Sequence, residues 1–263
     1  MKADFFIDKD KVRQAFSLSS THYDELALLQ KKVGQDLLNK FAIESTNNIL
    51  DVGCGTGFLT YDLLEKKVGQ QLIALDLASS MLQMSKNKLK RFSSVQYICA
   101  DAEQLPLLKN SIDTLVSNLA LQWCQNLSQV FNGFNDVLKK GGHVCFSTFG
   151  PATLQELKYS WQIVDDYSHV NEFYSTDHLH IFLQQSGFKE IYIDTKMYYS
   201  NYRTVIDLMR ELKGIGAHNV LSGRNRKLTS KGQMQKMINA YEKFRTNGMI
   251  PATYEIIFVS ATK

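Results

Sequence analysis

The residues with most chemical potential are three carboxylates, Asp51, Asp76 and Asp101, each ending a short apolar run, and the glycines that follow the first of them. Asn48-Ile49-Leu50 leads into Asp51-Val52-Gly53-Cys54-Gly55-Thr56-Gly57, and a helix-like stretch runs from Phe58 to Lys67. That is a strand, a glycine turn and a helix. Glycine at every second position lets the backbone turn sharply and lie against a ligand that a Cβ would hold away.

Charge identifies the kind of ligand. A dinucleotide fingerprint, G-x-G-x-x-G, offers a bare helix N-terminus to a pyrophosphate. Here its third position falls at Phe58, and Asp51 stands where it would repel phosphate. A carboxylate there suits a ligand carrying an ammonium and a sulfonium, and S-adenosylmethionine carries both. The second run, Gln71 to Asp76, places Asp76 at a strand end, well situated to accept from both ribose hydroxyls, with Ser79-Ser80-Met81-Leu82 opening the next helix. The third, Val95 to Cys99, runs into Asp101, which can accept from an adenine amino group. A fourth strand from Ser111 brings Asn118, Gln122 and Trp123 over the crevice.

The elements that must position these groups alternate. Residues 8 to 18 and 22 to 43 have helical spacing, and the polar, aromatic stretch between them, Ser17 to Asp24, is expected to act as a hinge able to close over a ligand. A helix from Leu127 to Lys139 is expected to stop at a basic glycine cap, Lys139-Lys140-Gly141-Gly142, before a fifth strand from His143 to Phe149. Strands alternating with helices make an open, mostly parallel sheet whose ligands lie at the switch point. Beyond it, Phe188 to Tyr199 and Tyr254 to Ala261 are strand-like, and some fifty residues of basic helical sequence between them exceed any hairpin loop. They are expected to form an inserted substrate lid.

Composition removes other classes. Of 263 residues, 44% are apolar and 21% charged, with no apolar stretch long enough to span a bilayer and no signal-peptide core at the N-terminus. No membrane partner and a cytoplasmic location are expected. Cys54, Cys99, Cys124 and Cys145 lie far apart without a C-x-x-C pair, which predicts reduced thiols and no metal site. His178 and His180 have no acidic or Cys companions and read as a surface turn.

In order and spacing, Asp51-x-Gly-x-Gly-x-Gly, Asp76, Asp101-Ala102 and the Ser117 to Trp123 stretch resemble the class I S-adenosylmethionine-dependent methyltransferases. Outside that half, Asp207 to Asn219, Pro251-Ala252-Thr253-Tyr254-Glu255 and Phe149 to Leu157 resemble the malonyl-acyl-carrier-protein O-methyltransferases of biotin synthesis. The resemblance implies a Rossmann-like α/β core: a mostly parallel seven-stranded sheet with helices on both faces and an antiparallel last strand. It implies an N-terminal helical cap at 1–44, the core at 45–200, a helical lid at 201–250 and the last core strand at 251–263. It carries cofactor contacts onto Asp51, Gly53, Cys54, Gly55, Gly57, Asp76, Leu77, Met81, Asp101, Ala102 and Asn118. The reaction it implies is methylation of the free carboxylate of a malonyl thioester on an acyl carrier protein or coenzyme A.

The chemistry agrees with that reaction. A carboxylate with a reference pKa near ~4 is ionised at neutral pH, so its methylation needs alignment and exclusion of water and no general base. The sequence shows no isolated Glu/His pairing that would serve as one. Recognition of the carboxylate needs a cation, with Arg210 first, then Lys213, then His218. Tyr23 and Trp123 adjoin segments expected to cover the sulfonium, where aromatic faces favour a cation. From Arg203 to Arg245 there are ten Lys or Arg and three Asp or Glu, a local +7 in a chain of net +4, which suits an acidic carrier protein. Nucleic acid is disfavoured by the lack of aromatic interleaving. A second reading keeps the fold and gives it a small phenolic or quinone-precursor acceptor, which would require a base in the pocket.

Overall fold

Ile49 and Leu50 are both fully buried although neighbours on a strand face opposite ways, so the strand that carries them is covered on both sides. The structure is a computed structural model and describes residues 7–41, 43, 46–217 and 229–263. An N-terminal segment of α1 (Lys9–Ser19), α2 (Tyr23–Leu26) and α3 (Leu28–Lys40) precedes the sheet. Then come β1 (Thr46–Val52), α4 (Phe58–Glu65), β2 (Gly69–Asp76), α5 (Ser79–Lys88), β3 (Val95–Cys99) and β4 (Ile112–Asn118). After a short turn of helix at Leu121–Trp123 follow α6 (Leu127–Val137), β5 (Leu138–Phe149), α7 (Gln155–Gln162), α8 (Thr176–Gln185) and β6 (Lys189–Tyr202). Two helices, α9 (Val205–Gly214) and α10 (Lys231–Tyr241), come before β7 (Ile250–Thr262).

The seven strands form one sheet in the order β3-β2-β1-β4-β5-β7-β6, all parallel except β7, which runs antiparallel to β5 and β6. This is the expected architecture, and its switch point lies between β1 and β4. One face packs Ile49, Leu72, Val116 and Phe258 with Val33 and Leu37 of α3 and Leu59 and Leu63 of α4. The other packs Leu50, Leu75, Leu115 and Ile257 with Phe131 and Phe134 of α6 and Leu179 and Leu183 of α8. On the first face α7, α9 and α10 join the same cluster through Trp161, Leu208 and Tyr241.

Three local expectations are corrected. The helix over 22–43 is broken at Ala27, where ψ is 42°, and Lys31 Nζ donates to the Asp24 carbonyl at 2.6 Å across the break. The helix expected to end at Lys139-Lys140-Gly141-Gly142 stops at Val137, and those residues belong to β5. There they form a bulge opposite β4: Lys139 pairs with Asp113 at 2.7 Å, and a Cβ at Gly142 would meet the Asp113 carbonyl at 2.9 Å. His178 and His180 sit on α8, not in a turn; Ser175 caps that helix and Asp177 occupies its first turn, a start signal that outweighs the polar composition. Among the described residues no helix is long and apolar enough to cross a membrane, and no cluster of three His, Cys, Asp or Glu could hold a metal.

Candidate active site

The loop after β1 is fastened to the end of β2, since the Gly53 and Cys54 N–H groups both donate to the Leu75 carbonyl, at 2.7 and 3.0 Å. Its glycines do different work. A Cβ at Gly57 would lie 2.3 Å from Ser85 Oγ, so that glycine serves packing against α5. Gly55 has φ +55° and nothing within 4 Å of a Cβ position, yet it borders the cleft. Open space over a left-handed backbone is what a ligand lying on the chain requires.

The carboxylates are prepared differently. Asp51 is 1% exposed; Thr60 Oγ1 donates to its Oδ2 at 2.6 Å, while Oδ1 is buried without a partner. Burial, reinforced by the charge of Asp76, pushes its pKa up to about 7. An orphaned buried carboxylate oxygen fits a ligand that brings an ammonium. Asp76 accepts from Gly55 N at 2.9 Å and Ala78 N at 2.8 Å, one on each oxygen, and each oxygen has a second lone pair for a ribose hydroxyl. Burial pushes it up to about 6. Asp101 accepts from Glu103 N at 2.9 Å and pairs with Lys9, which also reaches Glu103 at 2.9 Å.

Around these groups lies a cleft of about 100 Å³ lined by Gly53, Gly55, Asp76, Leu77, Met81, Asp101, Ala102 and Asn118. Asp51, Cys54 and Gly57 are not among its lining residues: Asp51 lies buried behind Val52 and Gly53, which do line it, and burial holds the Cys54 thiol well above the usual range. The cleft is covered by the N-terminal segment. Lys9 ties α1 to the end of β3, and Asp24 ties α2 to the glycine loop, accepting from Thr56 Oγ1 at 2.6 Å and pairing with Lys88 at 2.6 Å. Burial alone would raise the Asp24 pKa, but its bonds from Lys88 and Thr56 outweigh it and hold the group below its ordinary value.

Beside the cleft is a larger cavity of about 550 Å³. Phe16, Tyr23, Leu119 and Trp123 border both spaces and form the partition between them. Phe16 meets Trp123 edge to face at 5.3 Å. Leu119 takes φ +48°, an unfavourable conformation for leucine, held by its N–H donating to the Ser147 carbonyl at 3.0 Å. Burial, with the nearby charges of Asp76 and Asp24, keeps the Tyr23 hydroxyl protonated well past neutrality, so it can donate but not act as a base.

Two of the three signatures outside the cofactor half, Phe149 to Leu157 and Pro251 to Glu255, meet at the large cavity. Gly150 N and Leu154 N donate to the Glu255 and Thr253 carbonyls at 2.8 and 2.7 Å, Ala152 N donates to Glu255 Oε2 at 2.7 Å, and Glu156 accepts from Thr253 N at 3.2 Å. This clamp sets Phe149, Thr153, Leu154, Leu157 and Tyr254 into the cavity lining. The third signature closes the opposite side: a Cβ at Gly214 would meet Leu26 Cδ1 at 2.3 Å, and one at Gly216 would lie 3.1 Å from the Ala15 carbonyl, so the end of α9 packs directly on the N-terminal segment. Arg210 and Lys213 border the cavity from α9 as exposed side chains, Arg210 contacting Asp207 at 3.3 Å. His218 and the basic run Arg224 to Lys227 lie outside the described residues.

The structure also supplies residues that sequence reasoning missed. Lys9 carries no motif, and only the fold brings it to the cleft; Asp24 ends the stretch expected as a hinge, but its ties to Thr56 and Lys88 had no local signal. An acid–imidazole pair, absent from the sequence reading, exists at Asp165 and His169, 2.8 Å apart, with the ring stacked on Trp161 at 3.8 Å. Its spacing of four residues was the available signal. His169 borders the large cavity and not the cleft, which places it off the partition.

Sheet order, acid-tipped strands and glycine loop together define an S-adenosylmethionine-dependent methyltransferase of class I. Residues 50–146 match the family model described as a methyltransferase domain. Among solved structures the fold resembles the YcgJ protein of Bacillus subtilis, with a TM-score of 0.66 and 15% identity over 88% of this chain and 98% of that one. It also resembles an S-adenosylmethionine-dependent methyltransferase from Mesorhizobium loti, with a TM-score of 0.53 and 16% identity over 87% and 96%. Similarity along the whole chain is more specific. It is 39% identical to the malonyl-acyl-carrier protein O-methyltransferase of Nitrosospira multiformis, over 99% of this chain and 91% of the relative. It is 40% identical to the protein of that name from Gallionella capsiferriformans, over 99% and 92%. The chain belongs to the malonyl-acyl-carrier protein O-methyltransferase family. A match of 39% identity to the biotin biosynthesis bifunctional protein BioHC of Saccharophagus degradans spans 47% of that longer protein.

Proposed function

We propose that this methyltransferase acts on the free carboxylate of a malonyl group held as a thioester on an acidic acyl carrier protein in the cytoplasm, giving the malonyl methyl ester used as a primer in biotin synthesis. The observation that carries the reading is the pair of spaces sharing one aromatic partition, a cofactor cleft on one side and a mostly apolar acceptor cavity on the other. The names of the full-length relatives supply the substrate.

S-adenosylmethionine, when bound, supplies an electrophilic methyl group on a sulfonium. On this reading Gly53, Gly55, Asp76 and Asp101 hold its adenosine half, and Asp51 is the counter-charge for its ammonium. Phe16, Tyr23, Leu119 and Trp123 border the point of transfer and exclude water from the carboxylate oxygen, which strengthens the alignment on which rate depends. Bound there, S-adenosylmethionine would supply its methyl group to that oxygen and keep the carbon–sulfur electron pair on sulfur. No proton moves, which agrees with a partition whose one titratable side chain, Tyr23, stays protonated. Residues 201–250 act as the lid, with Arg210 and Lys213 at its rim meeting the acidic partner or the incoming carboxylate. Incubation with methyl-labelled cofactor and malonyl carrier protein should give a base-labile labelled ester. Label that binds without forming an ester would refute the substrate assignment.

A further inference from the structure

A malonyl group is a three-carbon unit, whereas a cavity of about 550 Å³ is the size that takes a drug-sized molecule. The surplus space has chemistry of its own. Among the described residues, five buried side-chain oxygens or hydroxyls have no hydrogen-bond partner, and two of them, Gln30 Oε1 and Asn171 Oδ1, belong to residues lining this cavity. Neither residue borders the cofactor cleft. They come from different elements, Gln30 from α3 and Asn171 from the connection between α7 and α8. Asn171 is 8% exposed and follows His169 and Val170 along the wall next to Trp161.

A buried amide oxygen without a partner is costly, and two along one cavity mark places where a ligand supplies the donor. The carboxylate and the thioester carbonyl of the acceptor have only lone pairs to offer, so neither can satisfy these oxygens. The arm that carries the thioester can. A pantetheine arm, common to acyl carrier proteins and coenzyme A, holds two amide N–H groups along an otherwise mainly aliphatic chain. That composition matches a wall of Leu157, Trp161, Val170 and Phe173 interrupted by single acceptors. As placed, both oxygens are turned away from the cavity that their residues line; a half turn of the terminal torsion, which is broad for Asn and Gln, exchanges each with its amide nitrogen and presents it to a ligand.

Resting on the function proposed above, we propose that the thioester arm is drawn into the large cavity and read there by the side-chain carbonyls of Asn171 and Gln30, each accepting an amide N–H of the arm. These are specificity residues for the acceptor: they select an acyl group on an amide-bearing arm over a short thioester of the same acid.

The test compares wild type with Asn171→Leu and Gln30→Met on malonyl carrier protein, malonyl-coenzyme A and S-ethyl malonyl thioester, which lacks the amides. Each variant should lose about tenfold in kcat/KM on both arm-bearing acceptors and change little on the short one. Affinity for S-adenosylhomocysteine should be unchanged, and the melting temperature equal or higher, because an unsatisfied polar group has been removed. Free pantetheine gives a second reading. It should compete with the acceptor in wild type and about tenfold less well in Asn171→Leu. Equal losses on all acceptors, no loss on any, or failure of pantetheine to compete with wild type would overturn the proposal. Absence of turnover by wild type on every malonyl thioester would instead refute the proposed function.

Discussion

Affinity for S-adenosylhomocysteine should rise with pH from about 5.5 to 7 and level off above, because the cofactor's ammonium needs Asp51 ionised. In the free protein burial has moved this group from 3.8 up to about 7, so below neutrality most molecules hold it protonated. An ammonium near the unpartnered Oδ1 lowers that pKa in the complex; the complex then binds fewer protons than the free protein, and binding releases one. Each unit below pH 7 costs up to tenfold, so affinity at pH 6 should be about tenfold weaker than at pH 8. The folding equilibrium of the free protein runs the other way. Because the folded pKa is raised, the contribution of this group to stability is present below 3.8 and lost as pH climbs through about 7, and bound cofactor should restore it. Calorimetry in two buffers of different ionisation enthalpy reads affinity and proton release together. Asp51→Asn should flatten the profile between pH 6 and 8, leaving the weaker dependence of Asp76, which titrates at about 6. 5′-Methylthioadenosine, which lacks the ammonium, should show the same flattening with wild type. A wild-type profile that is flat, or binding without proton release at pH 6, would refute the role given to Asp51.

Asp76→Ala should weaken S-adenosylhomocysteine binding about 10- to 100-fold, through lost ribose hydrogen bonds and the freed Gly55 N–H, and unchanged affinity by calorimetry would place the ribose elsewhere. Arg210→Ala removes an exposed cation from the cavity rim; kcat/KM for malonyl carrier protein should fall about tenfold with cofactor affinity and melting temperature unchanged, and retained kcat/KM would shift carboxylate recognition to other groups. Gly216→Ala and Gly248→Ala separate backbone strain from packing. Both glycines have φ near +75°, but only Gly216 faces a neighbour, the Ala15 carbonyl. Gly248→Ala should therefore cost about 1 kcal/mol by denaturant titration and leave activity alone, whereas Gly216→Ala should cost about 2 and lower acceptor kcat/KM. Equal losses would mean that α9 does not depend on its seat against the N-terminal segment.

The sheet was legible because the first three apolar runs are short, bounded by turn residues and tipped by an acid, a pattern set by burial on both faces. Asp76 and Asp101 were readable for the same reason, as strand ends point to the cleft in any sheet of this winding. The glycine cap expected at Gly141 and Gly142 failed because the same residues suit a strand bulge, and only the partner strand decides between them. Nothing local distinguishes Lys9 from other surface lysines; its role comes from the docking of α1 across the end of β3. Gln30 and Asn171 are equally silent in sequence, since an amide matters only when the fold buries it beside a cavity. The lid glycines were visible as part of a signature, but their reason, close packing on Leu26 and Ala15, required the tertiary contact.

The most direct measurement is a crystal structure with S-adenosylhomocysteine and a non-hydrolysable malonyl thioester mimic. The sulfur is expected at the partition formed by Phe16, Tyr23, Leu119 and Trp123, with adenosine toward Asp76 and Asp101 and the malonyl carboxylate facing the sulfur from the large cavity. Adenosine bound away from those strand ends, or a mimic lodged outside the large cavity, would contradict the division of the site into cofactor cleft and acceptor chamber.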